Sequence, residues 1–414
     1  MTSLLWLVHQ PPLPAVSGSR VRSLALVREL AQRGWDVSLF VLDTGVPAQP
    51  QDVEDLRALC AEVRIVAHAV PRTLRMARIG ADLLRGRAFQ HSMFRTAAAV
   101  REAHAWIARD GFDAIVAGGL YMLPYVPAAA LERTLLDSHN VDTERIASMA
   151  AALWPRPRGV LARIQQRPVR RYEERAAASV AGVLAVSADD AAWFRRVAPG
   201  RVSLVPNGVD TTRIQPRAGV GAGGPVLFVG SMDYGANADG ARVLVEEIAP
   251  RLRHPGARIA LVGALPPAEL RAAAKAAPVP VEVTGRVDEI GPWFAGSRLL
   301  AVPLRMGGGT RLKILEAMAH GLPVVTTSIG CAGIDVEHER DIVVADDPAD
   351  FARWVDRLLE DDGLAAAIGS RGRATVRREH DWSAIGDALE AALRALPRDA
   401  RSASSTGSRA RRSS

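Results

Sequence analysis

The chain has 414 residues, 48% of them hydrophobic and 23% charged. That length supports two to three domains with large cores, and the composition excludes disordered, collagen-like and disulfide-scaffold proteins. The net charge of +7 is concentrated, because residues 394–414 hold six arginines and one acid; the basic balance belongs mostly to a tail and points away from a nucleic-acid-binding fold.

The two cysteines, Cys60 and Cys331, exclude a cysteine-built zinc site and fit a reducing compartment. The opening MTSLLWLVHQPP lacks a basic n-region and a small-residue cleavage site. The apolar stretch Phe112–Leu131 is interrupted by Asp113, Gly118, Gly119, Pro124 and Pro127, so it reads as strand, loop and helix rather than a bilayer span. The expectation is a cytoplasmic protein.

Short apolar runs alternate with helical periodicity from the N-terminus onward. Leu4–Val8 is a first strand. Arg20–Arg33 repeats apolar residues at helical spacing and meets Gly34, a natural residue just past a helix end. Val37–Leu42 is the next strand, followed by a helix around Val53–Leu59 and a strand at Val63–Val66. Ala114–Ala117, Thr134–Leu136, Gly182–Val186 and Val202–Val205 are further strands. A second series runs through Pro225–Val229, Arg258–Val262, Val281–Thr284, Leu299–Pro303, Pro323–Thr327 and Ile342–Val344. Helices fill its gaps at about Ala238–Pro250, Pro267–Ala277, Thr310–Ala319, Pro348–Glu360 and Leu364–Glu379. Strands separated by helices imply parallel sheets covered on both faces. The expected architecture is α/β: two doubly wound, Rossmann-like domains over 1–205 and 225–379, facing a cleft. Residues 206–224 form a glycine-rich linker. A helix over 380–395 completes the first domain, and a disordered basic tail covers 396–414. In such domains ligands sit at the carboxyl ends of the strands.

Gly219-Val-Gly-Ala-Gly-Gly224 matches the G-x-G-x-x-G spacing of dinucleotide sites, but these glycines precede a strand instead of following one. That order lacks the mechanism of the motif, so the linker reading is preferred and NAD is not expected.

The segment that carries chemistry starts at Arg305 and runs through Gly307, Gly308, Gly309, Thr310, Arg311, Leu312 and Lys313 to Glu316. It follows a strand and opens a helix. Three glycines allow close backbone approach, and amides at a helix N-terminus bind anions. Arg311 and Lys313 place positive charge in the first turn, against the helix dipole, unless something anionic is bound. Lys313 is one of two lysines among fifty arginines, which suggests a need for a compact ammonium, as at a phosphate. Glu316 is either an i,i+3 partner of Lys313 or a carboxylate accepting paired ribose hydroxyls.

Together with Val205-Pro-Asn-Gly-Val-Asp210 and Leu227-Phe-Val-Gly-Ser231, this segment resembles the retaining GT-B glycosyltransferases of family 4, the glycosyl transferases group 1. The resemblance spans nearly the whole chain. It implies that a nucleoside-diphosphate sugar is held mostly by the second domain. Glu316 would bind the ribose. Thr310, Arg311, Leu312 and Lys313 would hold the diphosphate. Gly230 and Ser231 would line its phosphate side, and Arg286 and Val287 would lie in the base-contacting loop. In the first domain it implies that Gly18 approaches the donor phosphates and that His139 lies near the reacting sugar. Two departures stand out. Gly308 occupies the position where many members have a glutamate that contacts the sugar. Residues 231–240 also lack the Arg and Lys that often follow the V-G strand.

The expected activity is transfer of a sugar from a UDP- or GDP-linked donor to the hydroxyl of a glycan or lipid-linked acceptor, with retention, in cell-surface polysaccharide or glycolipid synthesis. The alternative is a non-catalytic, glycosyltransferase-like subunit that binds nucleotide or glycan. No D-x-D pair occurs in the sequence, so neither a metal nor another cofactor is expected, and the cations and helix terminus would neutralise the leaving group. Two arginine-rich stretches, Pro71–Phe89 and Leu153–Arg175, are either solvated faces or docking surfaces for an anionic membrane. The second reading would make the protein peripheral at the inner face of the plasma membrane.

Overall fold

The computed structural model describes residues 2–397 except 16, 45–48, 69, 90–92, 153, 217–222 and 308. Gly308, most of the glycine run 219–224 and the tail from 398 therefore lie outside the described residues. Contacts divide the chain into two units, Met1–Val205 with Ile385–Ser414, and Pro206–Ala384.

In the first unit, Ser3–Val8 (β1), Asp36–Asp43 (β2), Glu62–Ala67 (β3), Ala114–Gly118 (β4), Thr134–Ser138 (β5), Gly182–Ala185 (β6) and Val202–Leu204 (β7) form one parallel sheet. Its order is β3-β2-β1-β4-β5-β6-β7. The second unit repeats the pattern with Val226–Val229 (β8), Ile259–Val262 (β9), Val281–Gly285 (β10), Leu299–Val302 (β11), Val324–Thr326 (β12) and Val343–Val344 (β13), in the order β10-β9-β8-β11-β12-β13. The strand order therefore reverses between β1 and β4, and again between β8 and β11. Those reversals open the crevices where doubly wound sheets bind ligands.

The central strands read as unbroken apolar runs because helices cover both faces. Leu4–Leu7 and Val226–Phe228 are fully buried. Among the described residues, the α-helices of the first unit are Gly18–Gln32 (α1), Pro50–Leu59 (α2), Arg72–Leu84 (α3), Ala97–Asp110 (α4), Asp142–Ala152 (α5), Pro157–Ser179 (α6) and Ala188–Val197 (α7). Those of the second are Gly235–Arg242 (α8), Ala268–Ala276 (α9), Gly291–Gly296 (α10), Leu312–Ala319 (α11), Pro348–Glu360 (α12) and Asp362–Glu379 (α13). Trp382–Arg394 (α14) starts in the second unit and ends in the first. Gly34 follows α1 with φ of +80°, the left-handed conformation that ends a helix there.

Two elements depart from the sequence pattern. The helix expected over Ala238–Pro250 is α-helical only to Arg242; a π turn follows over Val243–Ile248 and a 3-10 turn over Ala249–Arg251. Val243, Leu244, Val245 and Ile248 are all buried there. The helix expected from Thr310 opens at Leu312 instead, with Arg311 as its N-cap.

The P-N-G-V-D stretch is tied down within the second unit. The Asn207 carbonyl lies 2.9 Å from His380 Nδ1, the Val209 amide donates to the His380 carbonyl at 2.8 Å, and Asp381 accepts from the amide and hydroxyl of Thr211. These bonds give the motif a fold-anchoring role. Among the described residues, no helix is long and apolar enough to cross a membrane.

Candidate functional site

At the carboxyl end of the second sheet, three strands finish side by side on glycine. The Gly230 amide donates to the Val262 carbonyl at 2.9 Å, and the Gly263 amide donates to the Gly285 carbonyl at 3.1 Å. A Cβ on Gly263 would lie 1.9 Å from the Gly230 oxygen, so a side chain there is excluded. Gly285 has φ of +74° and turns the chain into exposed Arg286 and half-buried Val287. Ser231, just past β8, is exposed, and its hydroxyl bonds Asp233 Oδ1 at 2.5 Å.

A Cβ on Gly230 would fall 2.6 Å from the Asn237 side chain, which sits in the first turns of α8. Asn237 Nδ2 donates to the Ser231 carbonyl at 2.9 Å, and its Oδ1 accepts from Lys313 Nζ at 2.8 Å. Asn237 therefore links the loop after β8 to the helix after β11. Lys313 Nζ also lies 4.8 Å from the centroid of the Phe228 ring. Among the described residues, no carboxylate lies within ion-pair distance of Lys313. Burial, then the charge of Arg311, lowers its pKa to about 7, with Glu316 opposing. Glu316 is pushed the other way, up to about 7, by burial, with Lys313 opposing. Its carboxylate makes no hydrogen bond among the described residues. Lys313 thus turns to Asn237 rather than forming the i,i+3 ion pair.

The glycine loop lies under Arg311. Gly307 and Gly309 have φ of +123° and +73°, values that favour glycine. Arg311 Nη1 donates to the Gly309 carbonyl, and a Cβ on Gly307 would meet Arg311 Nη2 at 3.0 Å and the Tyr234 hydroxyl at 3.4 Å. Burial lowers the Arg311 pKa, with Tyr234 opposing. Thr310 is buried, and among the described residues its hydroxyl oxygen has no hydrogen-bond partner. A buried hydroxyl without a partner is uncommon in folded proteins. Arg305 fixes the entry to the loop by pairing with Asp239 Oδ1 at 2.8 Å and Glu247 Oε1 at 2.8 Å.

The second unit thus brings Gly230, Ser231, Gly307, Gly309, Thr310, Arg311, Leu312, Lys313 and Glu316 to the ends of β8 and β11. Arg286 and Val287 follow on from β10. Arg305, where the chemistry-bearing segment begins, fixes its entry, and Asn237, Gly263 and Tyr234 complete this arrangement without having been singled out by sequence.

The remaining two candidates belong to the first unit. Gly18 is the exposed first residue of α1. One turn later, buried Arg22 reaches the fully buried Asp137 in β5, with Nη2 2.7 Å from Oδ1 and Nε 3.1 Å from Oδ2. His139 Nε2 lies 3.2 Å from Asp137 Oδ2. Burial alone would raise the Asp137 pKa, but Arg22, then His139, hold it below the usual carboxylate range. His9, at the end of β1, is pushed down to about 4 by burial, with the charges of His139 and Arg20 adding. Its ring lies 5.5 Å from Tyr121 and 5.8 Å from Phe94.

This geometry has counterparts among known proteins. A family model described as Glycosyltransferase Family 4 matches residues 16–213, and one described as Glycosyl transferases group 1 matches 224–361. Between them they cover most of both units. The chain is a member of the group 1 glycosyltransferases. It is 32% identical over 112 residues, 25% of its length, to a GDP-mannose-dependent monoacylated alpha-(1-6)-phosphatidylinositol monomannoside mannosyltransferase of Corynebacterium glutamicum. Over 117 residues, 27% of its length, it is 31% identical to a D-inositol 3-phosphate glycosyltransferase of Streptomyces bingchenggensis. The matches span 29% and 25% of those two proteins. In fold this glycosyltransferase-family chain is similar to sucrose-phosphate synthase of Thermosynechococcus elongatus, with a TM-score of 0.69 at 20% identity over 96% of this chain and 99% of that one. It is also similar to Anabaena HepE in complex with UDP and glucose, with a TM-score of 0.67 at 17% identity over 95% and 99%. The two parallel-sheet units are those of the GT-B fold.

Proposed function

We propose that this member of the group 1 glycosyltransferases moves a sugar from a nucleoside-diphosphate donor to an acceptor hydroxyl with retention of anomeric configuration and without a metal. The observation that carries the reading is Lys313. It is an ammonium set among buried groups, beside Arg311 and the Thr310 hydroxyl, which has no partner among the described residues, with a neutral amide as its hydrogen-bonding partner. Diphosphate oxygens would supply the missing negative charge and the missing acceptor. Glu316 would take the ribose hydroxyls, the chain after Gly285 with Arg286 and Val287 would meet the base, and Gly230 and Ser231 would border the phosphates.

In the proposed step the acceptor oxygen bonds to the anomeric carbon on the face that the diphosphate leaves. The bond from that carbon to the diphosphate oxygen breaks, and the acceptor proton passes to that oxygen. Arg311, Lys313 and the amides of α11 stabilise the charge that develops, a role worth roughly 10²–10³ in rate per donor. His139, oriented by Asp137, is assigned to the reacting sugar, and Gly18 to the approach of the phosphates. The base is uracil or guanine: HepE was solved with UDP, and the Corynebacterium relative is named for GDP-mannose.

The acceptor is proposed to be a glycan or a lipid-linked glycan used in surface polysaccharide or glycolipid synthesis, with the protein peripheral on an anionic inner membrane surface. Support comes from two basic helices with exposed apolar residues. Leu84 at the end of α3 is 91% exposed, and Ile164 on α6 is 58% exposed. The Gln165 side chain bonds the Phe89 amide at 3.2 Å and the Arg87 carbonyl at 3.3 Å, joining the two stretches.

The test is turnover of a panel of UDP- and GDP-sugars in the presence of a chelator, with the product anomer read by NMR. An inverted anomer would overturn retention. Binding of a nucleotide without turnover of any donor would favour the non-catalytic reading.

A further inference from the structure

The first unit holds a second gathering of positive charge, separate from the Lys313 group. A cavity of about 460 Å³ is lined by α3, the chain around Arg95, and α4. Its walls carry Arg78, Arg85, Arg95 and Arg101 against one carboxylate, Asp82. Arg78 Nη1 donates to the Arg95 carbonyl at 2.8 Å, holding one wall to the other. Among the described residues, none of the four guanidiniums is in an ion pair. Asp82 is buried, while Arg85, Arg95 and Arg101 are exposed.

Like charges around one cavity repel, and a bound anion relieves that repulsion. Guanidinium forks match the oxygens of a phosphate in spacing and plane, better than they match a spherical ion. The volume falls within the range of small-molecule sites, about 300–1,000 Å³. We propose that this cavity binds a phosphoryl group. Leu84, which precedes Arg85, and Met76, one turn before Gly80 on α3, are 91% and 57% exposed. The phosphate of a lipid headgroup and that of a soluble phosphorylated compound share this chemistry. The proposal rests on the membrane reading only for which of them is the source.

The test is isothermal titration with inorganic phosphate, made in an Arg311→Ala, Lys313→Met background so that the loop after β11 contributes little. Adding Arg85→Ala with Arg101→Ala, both exposed positions, is expected to weaken phosphate binding at least tenfold with an unchanged Tm. Equal affinity in the substituted protein, or no saturable phosphate binding, overturns the proposal. Flotation with phosphatidylglycerol vesicles against phosphatidylcholine vesicles then separates the sources. Loss of phosphatidylglycerol binding in the arginine variant assigns a lipid headgroup. Retained vesicle binding with lost phosphate binding assigns a soluble phosphate. Leu84→Ser keeps the two readings apart: it is expected to lower vesicle binding and, adding no charge beside Arg85, to leave phosphate affinity unchanged. If it spares vesicle binding, the apolar contact through Leu84 falls and the pocket stands.

Discussion

Lys313 Nζ donates to Asn237 Oδ1 at 2.8 Å, so the ammonium that opens α11 is held by a group without charge. Such a cation costs stability in the empty protein and becomes favourable when an anion joins it. Lys313→Met is therefore expected to keep or raise the Tm of the ligand-free protein while lowering kcat by roughly 10²–10³. Thermal unfolding and steady-state kinetics check the two halves. Full turnover by Lys313→Met would remove the diphosphate assignment.

Lys313 and Glu316 also predict an unusual pH profile. Between the ordinary lysine range and about 7, the unfolded chain holds a proton on Lys313 that the folded one has released, so stability rises with pH above about 7. Between the ordinary carboxylate range and about 7, the folded chain holds a proton on Glu316 that the unfolded one has lost, so stability falls as pH rises toward 7. The two slopes meet in a minimum near neutral pH. Urea midpoints from pH 5 to pH 10 measure it. Glu316→Gln should lessen the acid slope, to which the raised Glu173 and Asp190 also contribute, and Lys313→Met should flatten the alkaline side; a Glu316→Gln curve with the wild-type acid slope would refute the shift of Glu316.

The same burial bears on ligand binding. A diphosphate beside Lys313 raises its pKa, so binding near pH 8 takes up a proton. Titration calorimetry in buffers of different ionisation enthalpy should show that uptake, and Lys313→Met should abolish it. Binding enthalpies that do not vary with buffer would argue that the ligand sits elsewhere.

Thr310 separates a ligand role from a folding role. Its buried hydroxyl has no partner among the described residues, so Thr310→Val removes a polar group that the empty fold does not use. The expectation is an unchanged or higher Tm with nucleoside-diphosphate affinity weakened by about 1–3 kcal/mol. Lower stability with unchanged affinity would show that Thr310 serves the fold.

Which parts of this could be read from sequence follows from how local each signal is. The inner strands could, because sheets covered on both faces demand short apolar runs such as Leu4–Val8 and Leu299–Val302. The glycine loop and Lys313 could, because three glycines before a cationic helix start break local rules within a few residues. Asn237 could not: one neutral amide in a helix carries no signal until α11 is placed beside it. Gly263 gains meaning only from the Gly230 carbonyl at its back. Arg22 and Asp137 are 115 positions apart, and only the β1-β4-β5 order makes them neighbours. The π turn at Val243–Ile248 has no counterpart in the apolar spacing, which reads as one continuous helix.

That distant pair also governs stability. Arg22 and Asp137 are both buried, at 1% and 0% exposure, and His139 leans on the same carboxylate. Removing one partner strands the other charge, at a cost of about 3–5 kcal/mol. Asp137→Asn should therefore unfold at much lower urea than the wild type at pH 7. Because the Asp137 pKa is depressed in the folded state, its contribution is present above the ordinary carboxylate pKa and is lost as pH falls through the folded value. The gap between wild type and variant should accordingly narrow in acid. Arg22→Met with Asp137→Leu, which strands neither charge, should recover much of the loss at pH 7 but not the orientation of His139. If His139 acts on the sugar, that double variant stays slow despite its regained stability. A double variant restored in both stability and kcat would show that the Arg22–Asp137 pair serves the fold alone.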